Sequence, residues 1–250
     1  MKKINVHTLI VFFLLASISS FSQYKFTVEI EREAYKILKD QGKLKKATNY
    51  KVVDTNPAAS KYSYVPGNNQ ILSANCGSLP PLTYTNVTYG GVLEVDDDSE
   101  GPIALPFTFC FYGTNYTDVY INSNGNITFG AGQTSFSSTG FPNGTDQMIA
   151  PFWADFDNGG GNGVAKISMG TDYMVVTWDS VGYFNEQGDK RNTCTVVITD
   201  GLSPILPVGN NVGFYYENMD WTTGSASGGT NGFGGTAATV GVNNGDNINF

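Results

Sequence analysis

From about residue 83 onward, apolar and polar residues alternate in short runs. Segments of five to eight residues rich in Val, Ile, Thr, Tyr and Phe are separated by Gly, Asn, Asp and Ser, the pattern of strands joined by turns. The best-defined unit runs from Val119 to Phe129. Val119 and Ile121 fall on one face, Asn124-Gly125 supplies a hairpin turn with positive φ, and Ile127 and Phe129 return on the partner strand. Further strands are predicted at 105–111, 164–169, 172–178, 192–199, 211–217 and 237–242, and helical periodicity is absent throughout this part. The predicted class is all-β, an antiparallel β-sandwich preceded by a small strand–helix N-terminal segment.

The N-terminal quarter reads differently. Lys2 and Lys3 precede the apolar run Leu9–Leu15, and Ser20 and Ser22 sit at −3 and −1 of a cut before Gln23, the order of a secretory signal peptide over residues 1–22. The apolar run is shorter than the ~20 residues a membrane span needs, so a secreted, extracellular or cell-surface protein with no membrane span is expected. Residues 23–61 form a basic amphipathic segment. Phe26, Val28 and Ile30 alternate like a strand; Ile30, Ala34, Ile37 and Leu38 then recur at helical spacing, and Gly42 is placed to stop the helix. Residues 62–99 hold Asn, Pro, Ser and Gly in a loose order and read as a linker and lead-in to a domain at 100–250. The last residues, Asn247–Phe250, read as the start of another strand, so that domain is expected to be truncated at its C-terminus, with a sorting or anchoring region beyond.

Charge sharpens this division. Residues 24–61 carry nine Lys/Arg and five Asp/Glu, a net of +4, whereas residues 62–250 carry three Lys/Arg and 17 Asp/Glu, a net of −14. An acidic body repels phosphate backbones, so nucleic acid is excluded as its partner, while the contrast between the parts makes docking of one on the other plausible. The single histidine, His7, lies in the leader. Its removal excludes Ser-His-Asp and Cys-His catalysis and His-ligated metals from the mature chain. Export favours oxidised cysteines, and of the three present a Cys76–Cys110 disulfide is expected, with Cys194 left buried as a free thiol in the apolar run TCTVVIT.

Candidate chemistry rests on acids. Asp155 and Asp157 alternate in ADFDNGGG, and in an extended segment two residues apart share a face. Asp96 and Asp98 sit in the acidic stretch 96–100. These four residues are the candidate ligands for calcium; no cofactor is required. Neither stretch completes an EF-hand, because Lys166 and Phe107 stand where its last ligand belongs. Capping of backbone amides in turns remains the plainer alternative, and a carboxylate-only glycosidase the remotest. Trp153, Trp178, Trp221 and the pair Tyr215/Tyr216 are either core or a sugar-stacking platform.

The order VYINSNGNITFG, then a Gly/Ser loop to GFP, then MIAPFWADFD resembles the nidogen-like extracellular domain (NIDO), and the downstream segments look like a bacterial secreted subgroup of it. The local motif maps onto Asn124, Gly125, Phe129, Pro151, Phe152, Trp153 and Asp155. The resemblance implies an extracellular, mostly β module of cell–matrix adhesion, with an extracellular protein or glycan as partner and no catalytic residues. The function expected is therefore a secreted or cell-surface adhesion or interaction module, not an enzyme. A carbohydrate-binding module, assisted by calcium, is the alternative.

Overall fold

The computed structural model describes residues 27–31, 35, 38–39, 41–43, 49–53, 79–207 and 209–250. The proposed leader, the first part of the linker (residues 62–78) and Cys76 lie outside the described residues.

Two strands come from the N-terminal segment. β1 (Thr27–Glu31) and β2 (Asn49–Val53) pair in parallel, Thr27 opposite Asn49. Parallel neighbours need a crossover, and Tyr35, Leu38 and Lys39 between them have helical backbone. The helix stops as its sequence predicts. Gly42 takes φ +63, the Lys43 amide donates to the Leu38 carbonyl, and the Gly42 amide donates to the Lys39 carbonyl. These two bonds form a Schellman cap.

The rest is a sandwich of antiparallel sheets. Eleven strands build it: β3 (Thr85–Asn86), β4 (Ser99–Phe111), β5 (Thr114–Asn122), β6 (Asn126–Phe129), β7 (Gln147–Trp153), β8 (Phe156–Asp157), β9 (Val164–Met169), β10 (Tyr173–Tyr183), β11 (Gln187–Thr199), β12 (Val212–Met219) and β13 (Thr239–Asn243). One sheet has the order β12-β11-β10-β9-β3, with β8 also pairing with β10; the other has the order β13-β7-β6-β5-β4. The structure pairs Thr85–Asn86 with β9 as the edge strand of its sheet and buries Val87, Tyr89 and Val95 in the main core, so the sandwich begins ahead of residue 100.

Inward-facing positions of both sheets interlock between them. Val119, Ile121, Ile127, Phe129 and Ile149 from one sheet meet Val176, Trp178, Cys194, Val196 and Ile198 from the other. The rings of Phe109, Phe111 and Tyr116 gather around Phe129, one stacked and two tilted, with centroids 4.6–5.4 Å away, within the range of favourable aromatic pairs. All three tryptophans are buried to 1% exposure. Their indole N–H groups donate to carbonyls: Trp153 to Ser135, Trp178 to Asn122 and Trp221 to Val181, at 2.9–3.1 Å. They are core, and they form no stacking platform.

Cys194 is buried in the core as a free thiol, and burial pushes its pKa up. Cys110 is a free, exposed thiol on β4. Its expected partner, Cys76, falls outside the described residues. Thiolates are the reactive species, so native-state alkylation is expected to modify Cys110 and to reach Cys194 only after unfolding. Rapid native labelling of Cys194 would contradict the packing described.

Candidate functional site

The hairpin turn between β5 and β6 does more than reverse the chain. Asn124 is fully buried. Its Oδ1 accepts the Phe156 amide at 3.0 Å, its main-chain carbonyl accepts the Ala154 amide at 3.3 Å, and its Nδ2 donates to Asp97. Gly125 has φ +73 and receives the Phe152 amide on its own carbonyl at 3.3 Å. A Cβ built on Gly125 would lie 2.1 Å from the Phe152 carbonyl oxygen. The two halves of the sequence motif, NG and APFWAD, are thus pressed together main chain to main chain. Pro151 joins them to the opposite sheet, its carbonyl accepting the Tyr216 hydroxyl at 2.8 Å.

This clamp fixes three carboxylates. After Trp153 the chain leaves β7, so Ala154 and Asp155 lie in a bend before β8 begins at Phe156. The bend aims Asp155 at Asp96 and Asp97, and one oxygen from each of the three lies within 4.8 Å of the others. Asp97 adopts φ +57. The group is deeply buried, at 2% exposure for Asp96, 0% for Asp97 and 1% for Asp155.

Lys39 fills the space among them. Its Nζ lies 2.6 Å from Asp155 Oδ1, 2.8 Å from Asp97 Oδ2, and 3.1 and 3.2 Å from the two oxygens of Asp96. Tyr35, one helical turn earlier on the same face, donates its hydroxyl to Asp97 Oδ2. Aromatic rings close the rest of the chamber: Nζ is 4.0 Å from the Phe184 centroid and 4.7 Å from that of Phe136, distances at which a cation is attracted to a ring face.

One cation shared by three buried acids leaves the acids short of compensation. Burial raises the Asp155 carboxyl to about 7, even though Lys39 pulls it down. Asp96 is pushed well above the carboxylate range, by burial first and then by neighbouring Asp97. Burial alone would lower the Lys39 pKa, but the three carboxylates reverse this and hold it well above its ordinary value. Asp155 Oδ2 has no hydrogen-bond partner among the described residues. It faces Gly224, where an added Cβ would stand 2.7 Å away.

Of the four acids expected to act together, the structure brings Asp96 and Asp155 into one group and adds Asp97. Asp157 turns instead to the backbone, its oxygens accepting the amides of Gly159 and Glu186 at 2.9 Å. Asp98 Oδ1 accepts the Ser99 amide at 2.8 Å. Calcium needs six to eight oxygens; at Asp96, Asp97 and Asp155 it would also have to displace Lys39. Asp97 and Lys39 escaped the sequence reading. The charge contrast between the two parts of the chain was the available signal for Lys39, and no local pattern marks it.

A β-sandwich with its NG and APFWAD segments clamped around a buried charge cluster is the class these observations define. The NIDO-related family profile matches residues 76–250, and the chain belongs to that family. It is 33% identical to mouse alpha-tectorin over 186 residues, a match covering 63% of this chain and 8% of that protein. Human alpha-tectorin is 32% identical over the same shares. Dendrite extension defective protein 1 of Caenorhabditis elegans is 27% identical over 143 residues, covering 47% of this chain and 12% of that protein. The chain therefore spans about a tenth of the length of these relatives. No solved structure matches it.

Proposed function

We propose that the protein is an exported interaction module that acts outside the cell, in adhesion to a matrix or surface protein or glycan. The observation that carries this reading is the family match across 76–250, which spans the whole described sandwich, together with relatedness to the tectorins. Binding is favoured over catalysis by the state of the acids. A glycosidase needs two carboxyls that reach its substrate, whereas Asp96, Asp97 and Asp155 are sealed beneath Lys39, Phe136 and Phe184. Asp157 is spent on loop amides. Glycine-rich loops at 159–163 and 224–235 border this end of the sandwich and supply adaptable surface.

The test is a binding screen of the full exported chain against immobilised matrix glycoproteins, glycans and cell surfaces. Saturable binding to at least one, unaffected by Asp157→Asn, is expected. No saturable partner across the panel, or turnover of a glycan that Asp157→Asn abolishes, would contradict the reading.

A further inference from the structure

The chamber around Lys39 has the parts of a reaction site. An amine and a carboxyl are in contact with no solvent exposure of either side chain, a second carboxyl touches the same nitrogen, and aromatic rings keep water out. We propose that Lys39 and Asp155 condense to an intramolecular isopeptide bond, from Lys39 Nζ to Asp155 Cγ, which ties the N-terminal segment covalently to the sandwich.

Position favours this pair. Nζ touches Asp155 Oδ1 at 2.6 Å, one bond from the carboxyl carbon it would attack, and attack requires the reacting atoms to close to roughly 3–3.5 Å. The roles of the three acids differ by their partners. Asp97 is engaged on both oxygens, taking Lys39 and Tyr35 on Oδ2 and Asn124 on Oδ1, so it orients the amine. Asp96 presents both oxygens to Nζ and can take a proton from it. Asp155 alone has an oxygen with no partner among the described residues, the place for the hydroxyl of a neutral carboxylic acid, and Gly224 leaves it room. Burial in the aromatic-walled pocket works against both charges, because removing them from water is costly, while the neighbouring carboxylates hold the ammonium, so the proton transfer from Lys39 to Asp155 is the demanding step.

The step balances without any co-reactant. The Lys39 ammonium gives one proton to Asp155, which becomes the carboxylic acid, and the freed amine lone pair attacks its Cγ. Asp96 takes a second proton from the nitrogen and passes it to the departing hydroxyl. The C–O bond breaks, one water leaves, and the third hydrogen stays on the amide nitrogen. Four buried charges become two at most. Hydrolysis is opposed by the exclusion of water and by the effective concentration of the held amine, which for well-oriented groups reaches about 10⁵–10⁸ M.

Mass spectrometry of the full exported chain, reduced and denatured, decides the matter independently of any ligand. The expected intact mass is one water below that of the linear sequence with the same start. Proteolysis should yield a branched peptide that joins the Lys39 and Asp155 segments. Lys39→Arg, which keeps the charge, and Asp96→Asn, which keeps the shape, are expected to restore the full mass. A full wild-type mass, with the peptide carrying unmodified Lys39 as the main form, would overturn the proposal even if neither variant folds. So would a water loss that maps to another pair.

Discussion

Replacing Lys39 by Met is expected to destabilise the protein by up to roughly 3–5 kcal/mol, the usual cost of stripping one partner from a buried ion group. The loss should be larger at pH 8 than at pH 5. The sign follows from Asp155. As a free carboxyl beside Lys39 its folded pKa is already about 7, against ~3.9 for an unfolded aspartate, and in the variant, where Asp155 is free, the influence of Lys39 that holds it down is gone. A carboxyl whose folded pKa is raised binds its proton more tightly in the folded state. Its contribution is therefore full below the unfolded pKa and is lost as pH rises through the folded one. Asp96 is shifted in the same direction and adds to the trend. Release of the N-terminal segment would admit water and cap the loss, and would then appear as protease cleavage within residues 24–61. Equal melting temperatures of variant and wild type at both pH values would refute the importance of the cluster. Stabilisation of Lys39→Met by calcium, with none for the wild type, would show that the same carboxylates take either cation.

Gly125→Ala is expected to abolish the native fold or cost well over 4 kcal/mol, whereas Gly113→Ala is expected to cost about 1–2 kcal/mol. Both glycines have positive φ, +73 and +83, so both substitutions carry the left-handed penalty of roughly 1–2 kcal/mol for a residue with a Cβ. They differ in what the new methyl meets. At Gly113 nothing lies within 4 Å, but at Gly125 the Phe152 carbonyl oxygen is 2.1 Å away and belongs to the backbone of β7. Relieving that overlap means parting the hairpin from β7, which would release Asn124 from Phe156 and Asp97. Losses above 4–5 kcal/mol are rare and mark such mechanisms. Chemical denaturation of the two variants side by side reads the difference. Similar midpoints would show that the hairpin and β7 are not in the contact described.

Much of the sandwich is legible in the sequence because its cause is local. Alternation at 192–199 and the Asn124-Gly125 turn depend on residues a few positions apart, and β11 and the β5–β6 hairpin appear where those patterns put them. β7 is harder to read. MIAPFW is a continuous apolar run, and Met148–Pro151 are buried in succession, so no alternation marks it. β2 escapes notice because NYKVV is short and gains its place by pairing with β1. The shared face expected for Asp155 and Asp157 assumes an extended chain, and the bend at Ala154–Asp155 breaks it. Lys39 is the extreme case. Its main partner lies 116 residues away, and Lys36, Lys43, Lys45 and Lys46 stand near it in the sequence with nothing in spacing to distinguish them. Only the contrast between a +4 segment and a −14 body hints at a dock. Among the described residues, that long-range complementarity finds its contact at the Lys39 ammonium.

The most direct measurement is amine labelling of the native full chain, with the rate of modification resolved lysine by lysine. A Lys39 side chain with no exposure among three aspartates and two phenylalanine rings should resist acylation under native conditions by orders of magnitude relative to Lys43, and the Asp155→Ala variant should lose part of that protection. Modification of native Lys39 at the rate of Lys43 would contradict the docked lysine, and with it the site built around Asp96, Asp97 and Asp155.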